Sequence, residues 1–108
     1  MAHTPGPWTL ETVETQIGTC HKIGPFPCNS GTRSETHACV YADNIRLSDY
    51  GHSKVGDELL ANARLIAAAP QMLEALRELM GLAQREGWDH VAVNMARAAL
   101  AKAQGKEG

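Results

Sequence analysis

The residues best equipped for chemistry fall into two groups, one of thiols and imidazoles and one built on arginine. Cys20 and His21, then Cys28, then His37 and Cys39, with His52 further on, invite a metal reading. Zinc takes four nitrogen or sulfur ligands in a tetrahedron, usually delivered as close pairs two to four residues apart. Adjacent Cys20 and His21 would point to opposite faces of a strand, whereas His37 and Cys39 share a face and make at most half a site. The spacing disfavours zinc, and small core or rim residues are the plainer reading. A thiol nucleophile with an imidazole base could be assembled from the same set. However, three cysteines and five histidines combine so freely that no pair is singled out. There is no serine elbow, phosphate loop or assignable carboxylate pair. The chain therefore reads as a non-enzymatic protein without a metal or cofactor, with a zinc-stabilised protein or thiol enzyme as the remaining alternative.

Asn62 and Arg64 form the second group, because they interrupt an otherwise apolar helical segment. Two residues apart on a helix, they lie about 200° from each other, so at most one faces the core. Arginine presents a planar fork suited to phosphate or carboxylate and is the natural choice for an anionic ligand. A solvated arginine or a helix-to-sheet salt bridge is the bland counterpart. Arg33, Arg46 and Arg97 have weaker claims.

These residues must be positioned by the stretch from Glu58 to Gln84, which organises the rest of the chain. Large apolar side chains at Leu65, Met72, Leu73, Leu76, Leu79 and Met80, with Ala69 and Ala83, have the three-and-four spacing of a buried helical stripe. Proline lacks an amide hydrogen and its ring clashes with the carbonyl four residues back, so Pro70 predicts a break. One helix runs from about Glu58 to Ala68 and a second starts at Pro70, a kinked single helix being the alternative. Asp57 is positioned to cap the first of them. Gly87 is a left-handed terminator, Asp89 a natural cap, and a last helix runs to about Ala103, with Val93, Ala96, Leu100 and Ala103 as its apolar stripe. That helix folds back on its predecessor, and Gly105 onward frays.

Ahead of the helices the pattern changes to strands. Pro5, Gly6 and Pro7 exclude regular structure, so His3 and Thr4 lie in an arm that delivers Trp8 to a first strand ending near Thr15. Ile17 to Ile23 is a second strand, Gly24 to Thr32 a long loop, and Thr36 to Tyr41 the clearest strand. An Asp43-Asn44 turn then leads into Ile45 to Leu47 as a short fourth. No internal repeat is visible.

Composition narrows the classes. The chain has 108 residues and a formal net charge of -2, enough for a single small domain with one core and without the basic surplus of a protein that lives on nucleic-acid phosphates. No signal peptide or membrane span is visible, which makes the reading cytoplasmic, with neither nucleic acid nor membrane as partner. An odd number of cysteines without a secretory signal predicts reduced thiols. Apolar area is short for this length, so a homo-oligomer is expected.

HTPGPW at His3 to Trp8, and NARLIAAAP at Asn62 to Pro70 followed by a leucine-rich and then an alanine-rich helix, resemble a family of small proteins from bacteriophage and prophage genomes of Proteobacteria. The resemblance covers both motifs and the order of elements but not Thr9 to Asp57. It implies a phage-borne accessory protein. The layout is also similar to that of Thoeris anti-defence proteins, which sequester cyclic nucleotide signals. Carried onto this chain, that likeness implies a host-cytoplasmic oligomer that binds a cyclic nucleotide or ADP-ribose-type signal through His3, Thr4, Trp8, Asn62 and Arg64. The other reading of a phage accessory protein is one that masks a CRISPR or restriction complex by contact. The expected fold is α+β: an antiparallel sheet of three or four strands, then two or three C-terminal helices on one face.

Overall fold

The computed structural model describes residues 3–26 and 36–106, and shows the expected α+β order. Three strands, β1 (Thr9–Glu14), β2 (Gly18–Gly24) and β3 (Ala38–Asp43), precede a 3-10 turn at Leu47–Asp49 and two helices, α1 (Lys54–Glu86) and α2 (Val91–Ala103). The chain divides into two compact units. One is Pro7–Ala68, the sheet with the first part of α1; the other joins the residues before Pro7 to those from Ala69 onward.

In the sheet unit β2 is central and antiparallel to both neighbours. Threonines, β-branched residues and aromatics suit a pleated, half-buried surface, and alternation decides which face they take. Thr19, His21 and Ile23 are fully buried on one face, opposite Ala42, Val40 and Ala38 of β3. Burial of Ile23 contributes about 1.5 to 3 kcal/mol. Ala63 of α1 is buried as completely, within the same unit. The opposite face carries Cys20 and Cys39, which are diagonal neighbours joined as a disulfide with Cα atoms 6.5 Å apart. This corrects the expectation of reduced thiols for that pair: strand register brings together two residues that sequence distance keeps apart. Cys28 and Arg33 lie outside the described residues, as does most of the loop expected between the second and third strands.

The β1–β2 turn is closed by Thr15, whose amide and hydroxyl both donate to Gly18 O, at 2.7 and 2.9 Å. The expected turn at Asp43-Asn44 is present, with Asn44 at φ 63, a conformation asparagine tolerates, and its amide donating to Ile17 O at 2.6 Å. The segment after this turn is not a fourth strand. Thr19 Oγ1 donates to Ile45 O at 2.5 Å, Glu14 accepts from Leu47 N at 3.0 Å, and Asp49 accepts from Arg46 N at 2.9 Å. These bonds wind the segment into a 3-10 turn. The Arg46 guanidinium donates to Thr15 O and Gln16 O, clamping the β1–β2 turn to this segment. Arg46→Ala is therefore expected to cost about 1 to 2 kcal/mol, read as a lower urea midpoint with the slope unchanged.

Helix α1 begins four residues before the expected start, because Ser53, not Asp57, is the cap: its Oγ accepts from Gly56 N at 3.1 Å. Asp57 instead accepts from Gly51 N at 2.9 Å. The break predicted at Pro70 is absent; the helix continues through it to Glu86, with Pro70 buried. An interior proline costs a helix about 3 kcal/mol, which burial of the ring and good helix formers on both sides offset.

In the helical unit α2 runs back along α1. Gly87 at φ 68 ends α1, with Gly87 N donating to Gln84 O and Trp88 N to Ala83 O. His90, not Asp89, caps α2, its Nδ1 accepting from Ala92 N at 3.0 Å. Gly105 at φ 71 ends α2 the same way, and Lys106 N donates back to Ala101 O at 2.7 Å. The expected stripe is only partly buried. Met80 and Ala83 are buried and Leu73 and Leu76 half-buried, whereas Met72 and Leu79 are each 53% exposed. Leu65, in the sheet unit, is exposed too.

Candidate ligand-binding site

The five residues singled out from the sequence are divided between the units. His3 and Thr4 belong with the helical unit and are exposed, while Trp8, Asn62 and Arg64 belong with the sheet unit. Trp8 is half-buried, its ring 5.6 Å from that of His37. His37 thus faces an aromatic ring while Cys39 bonds Cys20, so the pair does not form the half-site its spacing allowed. Asn62 and Arg64 are both exposed on α1. The Arg64 guanidinium lies near enough to repel a charge on His21. Among the described residues no carboxylate pairs with it.

His21 is the residue the sequence undersold. It is fully buried, yet both ring nitrogens are satisfied, Nδ1 by Thr12 Oγ1 at 2.8 Å and Nε2 by Tyr50 OH at 2.7 Å. The Tyr50 ring meets it edge-on, centroids 5.5 Å apart. Burial, with the Arg64 charge adding to it, lowers the His21 pKa below its ordinary 6.5. A neutral imidazole held by two hydroxyls and closed to solvent is a structural strut, out of reach of a substrate. Its position in β2 gave no sign of this, because Thr12 and Tyr50 reach it only through strand pairing and the 3-10 turn.

Among the described residues of the helical unit, two grooves lie between α1 and α2. One, of about 310 Å³, is apolar and lies among Leu79, Met80, Ala83, Trp88, Val93 and Ala96. The other, of about 380 Å³, is cationic, with Arg77 and Gln84 from α1, Arg97 from α2, and Gln104 and Lys106 just beyond it. Among the described residues no helix is long and apolar enough to cross a membrane, and no three histidine, cysteine or acidic side chains converge on a point.

No curated protein matches the chain, and no solved structure does. A family model does: that described as Salmonella phage P22 protein Y8K6 aligns with residues 1–107, nearly the whole sequence. A match of that extent agrees with the phage origin implied by the two sequence motifs, and the chain belongs to the Salmonella phage P22 protein Y8K6 family.

Proposed function

We propose that this phage protein counters host defence in the host cytoplasm by binding a nucleotide-derived immune signal and holding it without turnover. The observation that carries the reading is Arg64, an exposed guanidinium on α1 with no carboxylate partner among the described residues. A fork-shaped cation that is not neutralised by its own protein is suited to a phosphate. Trp8 offers a ring face to a base, and Asn62 a polar contact at its edge. A symmetric oligomer would enclose the ligand better than one copy does. Thermal melting against cyclic dinucleotides, cyclic trinucleotides and ADP-ribose derivatives tests this directly. A ligand at one hundred times its dissociation constant stabilises the folded state by about 2.7 kcal/mol, a shift of several degrees. Arg64→Ala is expected to weaken binding at least roughly tenfold while the ligand-free melting temperature stays put, since an exposed, unpaired side chain contributes little to folding. A fall in that temperature without a change in affinity would make Arg64 structural, and ligand recovered as a hydrolysed product would make the protein an enzyme.

A second reading is favoured by a different observation. Leu79 and Trp88 beside the apolar groove, and Val91 and Met95 on α2, are all about half exposed or more, at 53, 49, 69 and 67%. Large exposed apolar side chains of this kind mark protein contact sites. The corresponding function is inhibition by masking a host defence complex, and it predicts capture of that complex with no response to any nucleotide.

A further inference from the structure

The cationic groove of the helical unit is built from a repeat. Arg77-x-x-Met80-Gly81-x-Ala83-Gln84 in α1 and Arg97-x-x-Leu100-Ala101-x-Ala103-Gln104 at the end of α2 are the same eight-residue pattern, R-x-x-[ML]-[GA]-x-A-Q. Arginine and glutamine stand seven residues apart, about two helical turns, so both fall on the face that carries Met80 and Gly81 in the first copy and Leu100 and Ala101 in the second. Because α2 runs back along α1, the two copies meet head to tail, and Arg77 of one reaches Gln104 of the other. Turning the Gln104 amide puts its oxygen 3.1 and 3.2 Å from Arg77 Nη2 and Nε. Gly81 and Ala101 also line the groove and, being small, leave it open to about 380 Å³.

Charge is the second observation. Among the described residues the groove is lined by Arg77, Arg97 and Lys106 and by no aspartate or glutamate. Both guanidiniums are nevertheless oriented: Arg77 by the Gln104 amide, and Arg97 by Asn94, whose Oδ1 accepts from Nη1 at 2.8 Å. A neutral amide fixes the direction of an arginine fork without cancelling its charge, whereas a carboxylate would do both. Lys106 is brought to the groove by the turn at Gly105, which folds its backbone onto Ala101. Cations do favour a helix C-terminus for its dipole alone, but that effect is confined to the last turn. Arg77 and Arg97 both lie before the last turn of their helices.

We infer that this groove is a binding site for a small molecule bearing two phosphoryl groups, one at Arg77 and one at Arg97. The repeat puts an arginine from each helix on the groove, and the volume lies in the range of small-molecule pockets. A nucleic-acid backbone would need a longer basic track than three cations, and the net charge of -2 does not provide one. The inference uses none of the residues invoked above and stands whether or not the protein counters host defence.

Calorimetric titration of the full chain with inorganic pyrophosphate, adenosine diphosphate, sulfate and a short DNA duplex tests it. Pyrophosphate and the diphosphate are expected to bind more than tenfold tighter than sulfate. Arg77→Gln and Arg97→Gln should each weaken them at least tenfold, and Lys106→Gln severalfold, with unchanged circular dichroism. Lys106 lies beyond α2, so its replacement tests the groove even if an arginine variant disturbs the helices. Arg85→Gln, which removes a cation of α1 outside the groove, should leave this binding intact. Equal affinity in the wild type and the groove variants, no preference over sulfate, or duplex DNA competing for the site would each overturn the inference. Loss of binding only in Arg64→Ala would do so while supporting the site in the sheet unit.

Discussion

Gly18→Ala is expected to destabilise the protein by about 3 kcal/mol, at the upper end for overpacking a site that cannot yield. A Cβ on Gly18 would run into the Ala42 carbonyl oxygen and approach Asn44 N to 3.0 Å. Both obstacles are backbone, and both are already committed. Asn44 N donates to Ile17 O, and Ala42 O accepts from Ile45 N at 3.3 Å. The methyl can be accommodated only by parting the start of β2 from the end of β3, which would loosen the Thr19–Ile45 bond and the Arg46 clamp as well. Gly87→Ala is the control, because nothing lies within 4 Å of a Cβ there and only the left-handed φ of 68 opposes it, at about 1 to 2 kcal/mol. Gly18 also has a positive φ, of 158, so both variants carry backbone strain, and the excess loss at Gly18 in urea unfolding measures the steric conflict. A Gly18→Ala loss no greater than that of Gly87→Ala would mean that the two strands are not held at this separation.

Gly18 also shows where sequence reasoning stops. Alternation marked the first and third strands, since a buried face every second residue is a local signal, but it could not say which backbone lies against which. The same limit hid the Cys20–Cys39 pairing and the hydroxyl partners of His21, all of which depend on register. In the helices the expected stripe took in residues a hundred degrees apart, such as Met72 and Leu73, and one helix face cannot bury both. Packing chose Leu73, Leu76, Met80 and Ala83, and left Met72 and Leu79 outside. Pro70 misled for a related reason. A local rule forbids it inside a straight helix, but burial and two long flanking helical segments outweigh a local cost. The R-x-x-[ML]-[GA]-x-A-Q repeat was legible and missed, because it is short and its copies become a pair only once α2 folds back. Of the five residues first singled out, Arg64 keeps the clearest chemistry. The cationic groove rests on Arg77, Arg97 and Lys106, of which only Arg97 drew notice from sequence, and that weakly.

Acid is expected to weaken the protein through His21, and this effect should vanish when the imidazole is replaced. In the folded state the His21 pKa is lowered, by burial first and by Arg64 second, while in the unfolded chain it returns to about 6.5. Between those two values the unfolded chain binds a proton that the folded chain refuses, so stability falls as pH drops through 6.5 and levels off below the folded pKa. The steepest slope one such group can give is about 1.4 kcal/mol per pH unit. The hydrogen bonds do not oppose protonation. An imidazolium could donate to Thr12 Oγ1 and Tyr50 OH alike, so the penalty comes from removing charge from water beside a guanidinium. His21→Gln keeps one donor and one acceptor without titrating, and should flatten the stability profile between pH 7.5 and 5, taken as the difference from the wild type to cancel the other titrating groups. Arg64→Ala should flatten it in part. His21→Ala, which leaves two hydroxyls facing a cavity, should cost about 3 kcal/mol at neutral pH. Parallel profiles for the wild type and His21→Gln would mean that water reaches the ring, and that the strut joining β1, β2 and the turn before α1 opens more readily than its two hydrogen bonds imply.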